Sequence, residues 1–203
     1  LSLDQPLAIA PGDFCSDTEV FEPGYRQDGA SLWEMLYWMI VSSDNTATNT
    51  VISLLGYDHV NQYCRAISLT QTSLQRKMLD FQAIAEGRNN YTSPADLYRV
   101  FSRLYHGEIL NKSLREVAFD FLSRCRSTDA LQRYIPDAVT VLHKPGGLDH
   151  LNHDAGIFLT DDRPYYLGRP RAGRPAPAKP AHRAAVPDDL RRHEGREINE
   201  SHC

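Results

Sequence analysis

The stretch Tyr37-Trp38-Met39-Ile40-Val41-Ser42-Ser43-Asp44-Asn45-Thr46-Ala47-Thr48-Asn49 decides how this chain is read. Within and before it, Leu32, Met35, Leu36, Met39 and Ile40 recur at three- and four-residue spacing, a helical period. Trp33, Tyr37 and Trp38 widen the apolar face, so the spacing predicts a helix and its exit over 28–45, buried on most sides. Residues 45–55 predict a second helix, stopped by Gly56. Ser43, Asp44 and Asn45 therefore lie at the junction of two packed elements. Alone, such a tripeptide is an ordinary helix cap. On a rigid support, a hydroxyl and an amide are also what proton relay and substrate hydrogen bonding require.

Roughly a hundred residues later the pattern changes. Val139-Thr140-Val141-Leu142-His143 is short and β-branched, so it predicts a strand, and Lys144-Pro145-Gly146-Gly147 follows it. A cation followed by glycines at a strand end brings charge and bare backbone N–H groups close to a ligand. Alone, the same residues make a hairpin with a solvated lysine. Residues 155–159 and 164–168 predict two more strands, joined by turn signals into an antiparallel meander. Between the two motifs, 59–67 predicts a helix and Gly87-Arg88-Asn89-Asn90 a turn. Thr92-Ser93-Pro94-Ala95-Asp96 is a helix start, with Leu97, Val100, Phe101 and Leu104 on one face and Gly107 as its stop. Residues 111–124 predict a further amphipathic helix, and 130–134 a short one. Helices first and strands last give an α+β body.

The chain of 203 residues suits one domain with a tail, and its 41% hydrophobic and 24% charged residues are ordinary for a soluble globular protein. No apolar run is long enough to span a bilayer. The first residues, Leu1-Ser2-Leu3-Asp4-Gln5, carry neither Met nor a cleavable signal pattern. A net charge of −4 gives no reason to expect nucleic acid as a partner. Residues 1–168 hold 14 Lys and Arg against 21 Asp and Glu, whereas 169–203 hold 8 against 5. No aromatic residue follows Tyr166, and Arg169-Pro170-Arg171-Ala172-Gly173-Arg174-Pro175 has no apolar period, so 169–203 is expected to be disordered. The break near Gly168 is read as a change of coding frame, and a basic tail that binds anionic surfaces is a third reading of the chain. Cys15, Cys64, Cys125 and Cys203 are scattered and are read as isolated thiols. His150 and His153 are read as part of a polar hairpin, so neither a metal nor a cofactor is expected.

The two motifs, taken in this order, resemble the S-D-N and K-T-G motifs of the penicillin-recognising serine hydrolases, in particular class A β-lactamases and their relatives. Thr92-Ser93-Pro94-Ala95-Asp96 is similar to the T-x-P-x-D helix start of that group, and the similarity covers about residues 1–168. It implies a β-lactamase/transpeptidase-like fold: a helical domain plus a partial antiparallel sheet, then the tail. It implies acyl-enzyme chemistry on a small-molecule β-lactam or a peptidoglycan stem peptide, in an extracytoplasmic setting. By resemblance Ser43 relays a proton to the leaving nitrogen, and Asn45 binds the substrate amide. Lys144 supplies positive potential, the Gly147 N–H is an oxyanion donor, and Gly146 lines the substrate site.

Three departures qualify the resemblance. None of Lys77, Lys112, Lys144 and Lys179 has Ser three positions earlier, so the nucleophilic S-x-x-K is not in these residues and this chain alone is expected to be inactive. Pro145 stands where the group has Thr, removing a hydroxyl and an N–H. Met78 aligns with the Glu that activates the deacylating water, and Asp80, two residues on, is read as a loop salt bridge with Arg76 or Lys77. A missing base favours a slow acyl-enzyme, as in D-Ala-D-Ala peptidase relatives. The remaining alternative is a non-catalytic remnant that binds peptidoglycan-like ligands.

Overall fold

The computed structural model describes residues 1–169, other than 17, 19, 25, 27, 127–130, 134, 149 and 150, together with the backbone of 183–185. Strand β1 (Pro6–Leu7) and a 3-10 turn (Pro11–Asp13) precede strand β2 (Ala30–Ser31), which pairs back onto β1. Helix α1 (Leu32–Val41) starts where the Ser31 hydroxyl accepts the Glu34 N–H at 3.2 Å, in a Ser-x-x-Glu sequence. This cap shortens the helix expected from residue 28, because Ala30 and Ser31 are held in β2. Helix α2 (Asn45–Leu55) starts on Asp44, whose Oδ1 accepts the Ala47 N–H at 2.8 Å, and stops at Gly56, φ 75°. Helix α3 (Tyr57–Ala66) follows.

Helix α4 (Phe81–Ala85) is not among the expected elements; five residues are too few to show an apolar period. Helix α5 (Pro94–His106) begins as expected, with Ser93 accepting the Asp96 N–H at 3.1 Å and Gly107 closing the helix in left-handed geometry. Helix α6 (Lys112–Ser123) is capped by Asn111. Residues 131–133 form a turn instead of the expected short helix, whose remaining positions, 130 and 134, lie outside the described residues.

Strands β3 (Thr140–Leu148), β4 (Leu151–Leu159), β5 (Tyr165–Arg169) and β6 (Arg183–Ala185) form an antiparallel sheet in that order. Pairing of β3 with β4 continues through the glycines, with Lys144 opposite Ala155 and Gly147 opposite Asn152, so both strands run longer than expected. Because β3 is an edge strand, Pro145 is tolerated there. Strand β6 falls in the segment expected to be disordered; the rest of 170–203 lies outside the described residues, as does His150.

Side chains alternate across the sheet. Leu142, Ala155, Ile157 and Tyr166 pack against Phe101 and Leu104 of α5 and Leu122 of α6. Val141 and Phe158 bury against Leu131 on the other face. A separate cluster joins Leu7, Phe21, Leu32, Met35, Ala47 and Val51 under α1 and α2. Each such burial contributes about 1.5–3 kcal/mol. Helix α1 is less enclosed than its composition predicts. Only Leu32, Met35 and Val41 are buried, and Trp33 is 39% exposed, because β2, α2 and α6 flank the helix without surrounding it. Among the described residues no helix is long and apolar enough to cross a membrane.

Candidate active site

The α1–α2 junction and the end of β3 meet at one contact. The Lys144 ammonium donates to Ser43 Oγ, linking residues 101 positions apart, and also to the Pro145 carbonyl at 2.9 Å. Ser43 reaches this position through a left-handed backbone, φ 58°, uncommon for a residue with a Cβ. The chain there is fixed on both sides. The Ser42 and Asp44 N–H groups share the Trp38 carbonyl, at 3.2 and 3.1 Å. Asp44 is 1% exposed, and besides capping α2 its Oδ2 accepts from Thr18 Oγ1 and from the Val20 N–H at 2.9 Å. Asp44 is thus the staple of the junction. The strain at Ser43 is held by this staple and leaves the hydroxyl exposed.

Lys144 is half-buried on the sheet face that packs on the helices. Burial pushes its ammonium below the ordinary lysine value, while Cys125 and Asp154 pull the other way. An ammonium donating to Ser43 Oγ leaves the Ser43 O–H free to donate to another group. Asn45 is the first residue of α2, two positions from Ser43. Gly146 and Gly147 continue β3 beyond Lys144 and are exposed; a Cβ at Gly146 would meet nothing within 4 Å. Ser43 and Lys144 are therefore brought into contact, with Asn45, Gly146 and Gly147 on the same two elements.

A second region, the loop from Leu74 to Asn90, is pinned by residues the sequence reading missed. Asn49 Oδ1 accepts the Met78 N–H at 2.7 Å, and its Nδ2 lies 3.4 Å from the Met78 carbonyl and 3.1 Å from Cys15 Sγ. Lys77 pairs with the buried carboxylate of Asp13, which also accepts from Ser53 Oγ at 2.8 Å. Buried Arg76 donates through Nε to Asn89 Oδ1 at 2.9 Å and through Nη1 to the Lys77 carbonyl at 3.0 Å. The salt bridge expected of Asp80 is not formed: its carboxylate caps α4 through the Ala83 N–H at 2.9 Å, and Lys77 and Arg76 take the other partners. Asn49 was findable, being one helical turn beyond Asn45. Asp13 carried no local signal.

His153 is exposed on β4, opposite Gly146. No group of three or more His, Cys, Asp or Glu among the described residues could hold a metal.

Residues 1–169 match the Beta-lactamase enzyme family. The chain belongs to that family. It is 31% identical over 125 residues to a beta-lactamase of Streptomyces cellulosae, a match covering 59% of this chain and 40% of that protein. Its fold superposes on PBP-A with a TM-score of 0.76 and 26% identity, covering 86% of this chain and 64% of PBP-A. A variant of PBP-A has been solved as an acyl-enzyme complex with penicillin G. The class A beta-lactamase of Mycobacterium abscessus shares the fold at a TM-score of 0.76 and 21% identity, over 87% of this chain and 68% of that one. The chain thus spans under half of its curated relative and about two thirds of these solved structures. The β-lactamase/transpeptidase-like fold expected from the motifs is the fold found.

Proposed function

We propose that this beta-lactamase-related hydrolase contributes the proton-handling half of a serine acyl-transfer site for β-lactams or D-Ala-D-Ala-like peptides. The observation that carries the reading is the Lys144–Ser43 contact. In this reading the acylating step breaks the substrate C–N bond. Ser43 gives its hydroxyl proton to the leaving nitrogen, Lys144 returns one to Ser43, and the proton shed by the attacking serine as its C–O bond forms restores the Lys144 ammonium. Asn45 holds the substrate amide, the Gly147 N–H receives the developing oxyanion, and Gly146 keeps that wall open. Each oxyanion donor is worth about 3 kcal/mol. The nucleophile itself is not in residues 1–203, so the covalent bond requires an S-x-x-K serine from additional sequence. The half-exposed apolar sides of α1 support the packing of such a segment beside the junction.

Met78 favours the D-Ala-D-Ala peptidase reading over rapid β-lactam hydrolysis. A thioether cannot activate water, and the nearest carboxylate in the loop, Asp80, is committed to capping α4. Loss of the Thr hydroxyl at Pro145 weakens capture of the substrate carboxylate. We further propose an extracytoplasmic setting and a domain boundary near Gly168, supported by the family match ending at residue 169.

Fluorescent penicillin is the test. A full-length protein containing an in-frame S-x-x-K is expected to be labelled covalently and to release the label slowly. The 203-residue chain is expected to remain unlabelled. A full-length protein that never labels makes this a non-catalytic relative and rejects the acyl-enzyme reading.

A further inference from the structure

Behind Lys144, on the other face of the sheet, lies a pair that no step above uses. His143 and Asp154 are both buried, and His143 Nδ1 stands 3.0 and 3.1 Å from the two carboxylate oxygens of Asp154. The Asp154 carboxylate also accepts the Leu131 N–H at 3.1 Å. Gly156, opposite His143, makes room for the ring: a Cβ there would come within 2.5 Å of His143 Cβ. Asp154 pairs in register with Pro145, one residue from Lys144. The unit is thus built into the strand that carries the site's cation.

The geometry favours one tautomer of the ring. Nδ1 carries a proton, since it faces only acceptor oxygens. Nε2 is buried and has no hydrogen-bond partner among the described residues. A proton there would make a buried, unsatisfied N–H on a charged ring, whereas a bare nitrogen lone pair costs less. The tautomer that fits this geometry carries its one proton on Nδ1 and leaves the charge of Asp154 uncancelled.

Among the described residues and Asp44 aside, the other polar groups around Lys144 carry no negative charge. Ser43 offers a hydroxyl. The Cys125 thiol donates to the His143 and Ile40 carbonyls, at 2.9 and 3.3 Å, and burial pushes it up to about 11, so it is uncharged at neutral pH. Arg126 lies over the Trp38 ring, 5.2 Å from its centre. Asp44 is a second carboxylate at the junction, and its oxygens are bonded to Thr18, Val20 and Ala47 and not to Lys144.

We propose that Asp154 is a positioning residue for Lys144: its buried charge, locked by His143 and Leu131, is the counter-charge that keeps the Lys144 amine an ammonium ion beside Ser43. Burial favours the neutral amine, which would neither attract an anionic substrate nor return a proton to Ser43. The proposal rests on reading Lys144 as the cation of the site. Its test uses no ligand, so a failure of penicillin labelling and a failure of this proposal remain separate results.

The experiment is an NMR titration of the Lys144 side chain in the 203-residue chain labelled with ¹³C-lysine, assigned with Lys144→Arg. In Asp154→Asn the Lys144 midpoint is expected to move down, while the other lysines stay in place. An unchanged or raised midpoint in folded Asp154→Asn overturns the proposal. If Asp154→Asn does not fold, the His143 tautomer in the unaltered protein decides. A neutral ring protonated on Nδ1 at pH 7 is expected, and an imidazolium, which would cancel the charge of Asp154, overturns it.

Discussion

The Ser43–Lys144 junction and the loop around Met78 are held by the same kind of device and present opposite things. Each is anchored by buried polar side chains: Asp44 under the first, Asn49 and Asp13 under the second. The first anchor holds a hydroxyl against an ammonium. The second holds a backbone with comparable care and presents a thioether. Support and chemistry are thus separable. A scaffold that grips the main chain of residue 78 places no demand on its side chain.

That separability gives the largest expected effect. Because Asn49 holds Met78 through its main-chain N–H and C=O and not through its side chain, Met78→Glu is expected to leave the loop in place while supplying a general base. In the full-length protein, loss of penicillin label is expected to accelerate by about 10²–10⁴-fold. An unchanged release rate in a folded variant would mean the two regions do not face one ligand. Next in size is Lys144→Met, expected to slow labelling of the same protein by about 10²–10³-fold, the scale of one preorganised electrostatic group. Asn49→Ala follows. It strands the part-buried Met78 N–H, and urea unfolding is expected to report a loss of about 1–3 kcal/mol. A stability equal to the parent's would remove Asn49 as the loop's anchor.

The same contrast explains what could be read without coordinates. Ser43 and Lys144 were legible because each sits in a short motif at the end of an element with a clear period. So were α2, α5 and α6, whose caps and stops are local residues: Asp44 and Gly56, Ser93 and Gly107, Asn111. The anchors were not legible. Lys77 meets Asp13 across 64 residues, and Met78 meets Asn49 across 29. Nothing in the composition near Asp13 distinguishes it from a solvated aspartate. His143 read only as a strand residue and Asp154 fell just before the predicted strand 155–159, because the register that pairs them is set by the whole hairpin. Burial of α1 was over-read for a related reason. An apolar helix states that it needs neighbours, and the neighbours are a tertiary property.

The smallest expected effect concerns a fourth buried carboxylate, away from both regions. Asp96 at the start of α5 accepts from the Gln71 N–H at 2.7 Å, Thr72 Oγ1 at 2.9 Å and Arg99 Nη1 at 2.8 Å. Burial alone would raise its carboxyl; the bonds from Gln71, Thr72 and Arg99 outweigh it and hold the group below its ordinary 3.8. Since the folded value is depressed, the unfolded chain takes up the proton first as pH falls. The stability Asp96 contributes is complete above the ordinary carboxylate value and is lost on acidification through the folded one. Asp96→Asn removes that titration, so the fall in unfolding free energy from pH 5 to pH 2 is expected to be shallower than in the parent. An identical acid slope would show that Thr72 and Gln71 grip this helix start equally well without the charge. The stapling of α5 to the segment before the Met78 loop would then owe nothing to electrostatics.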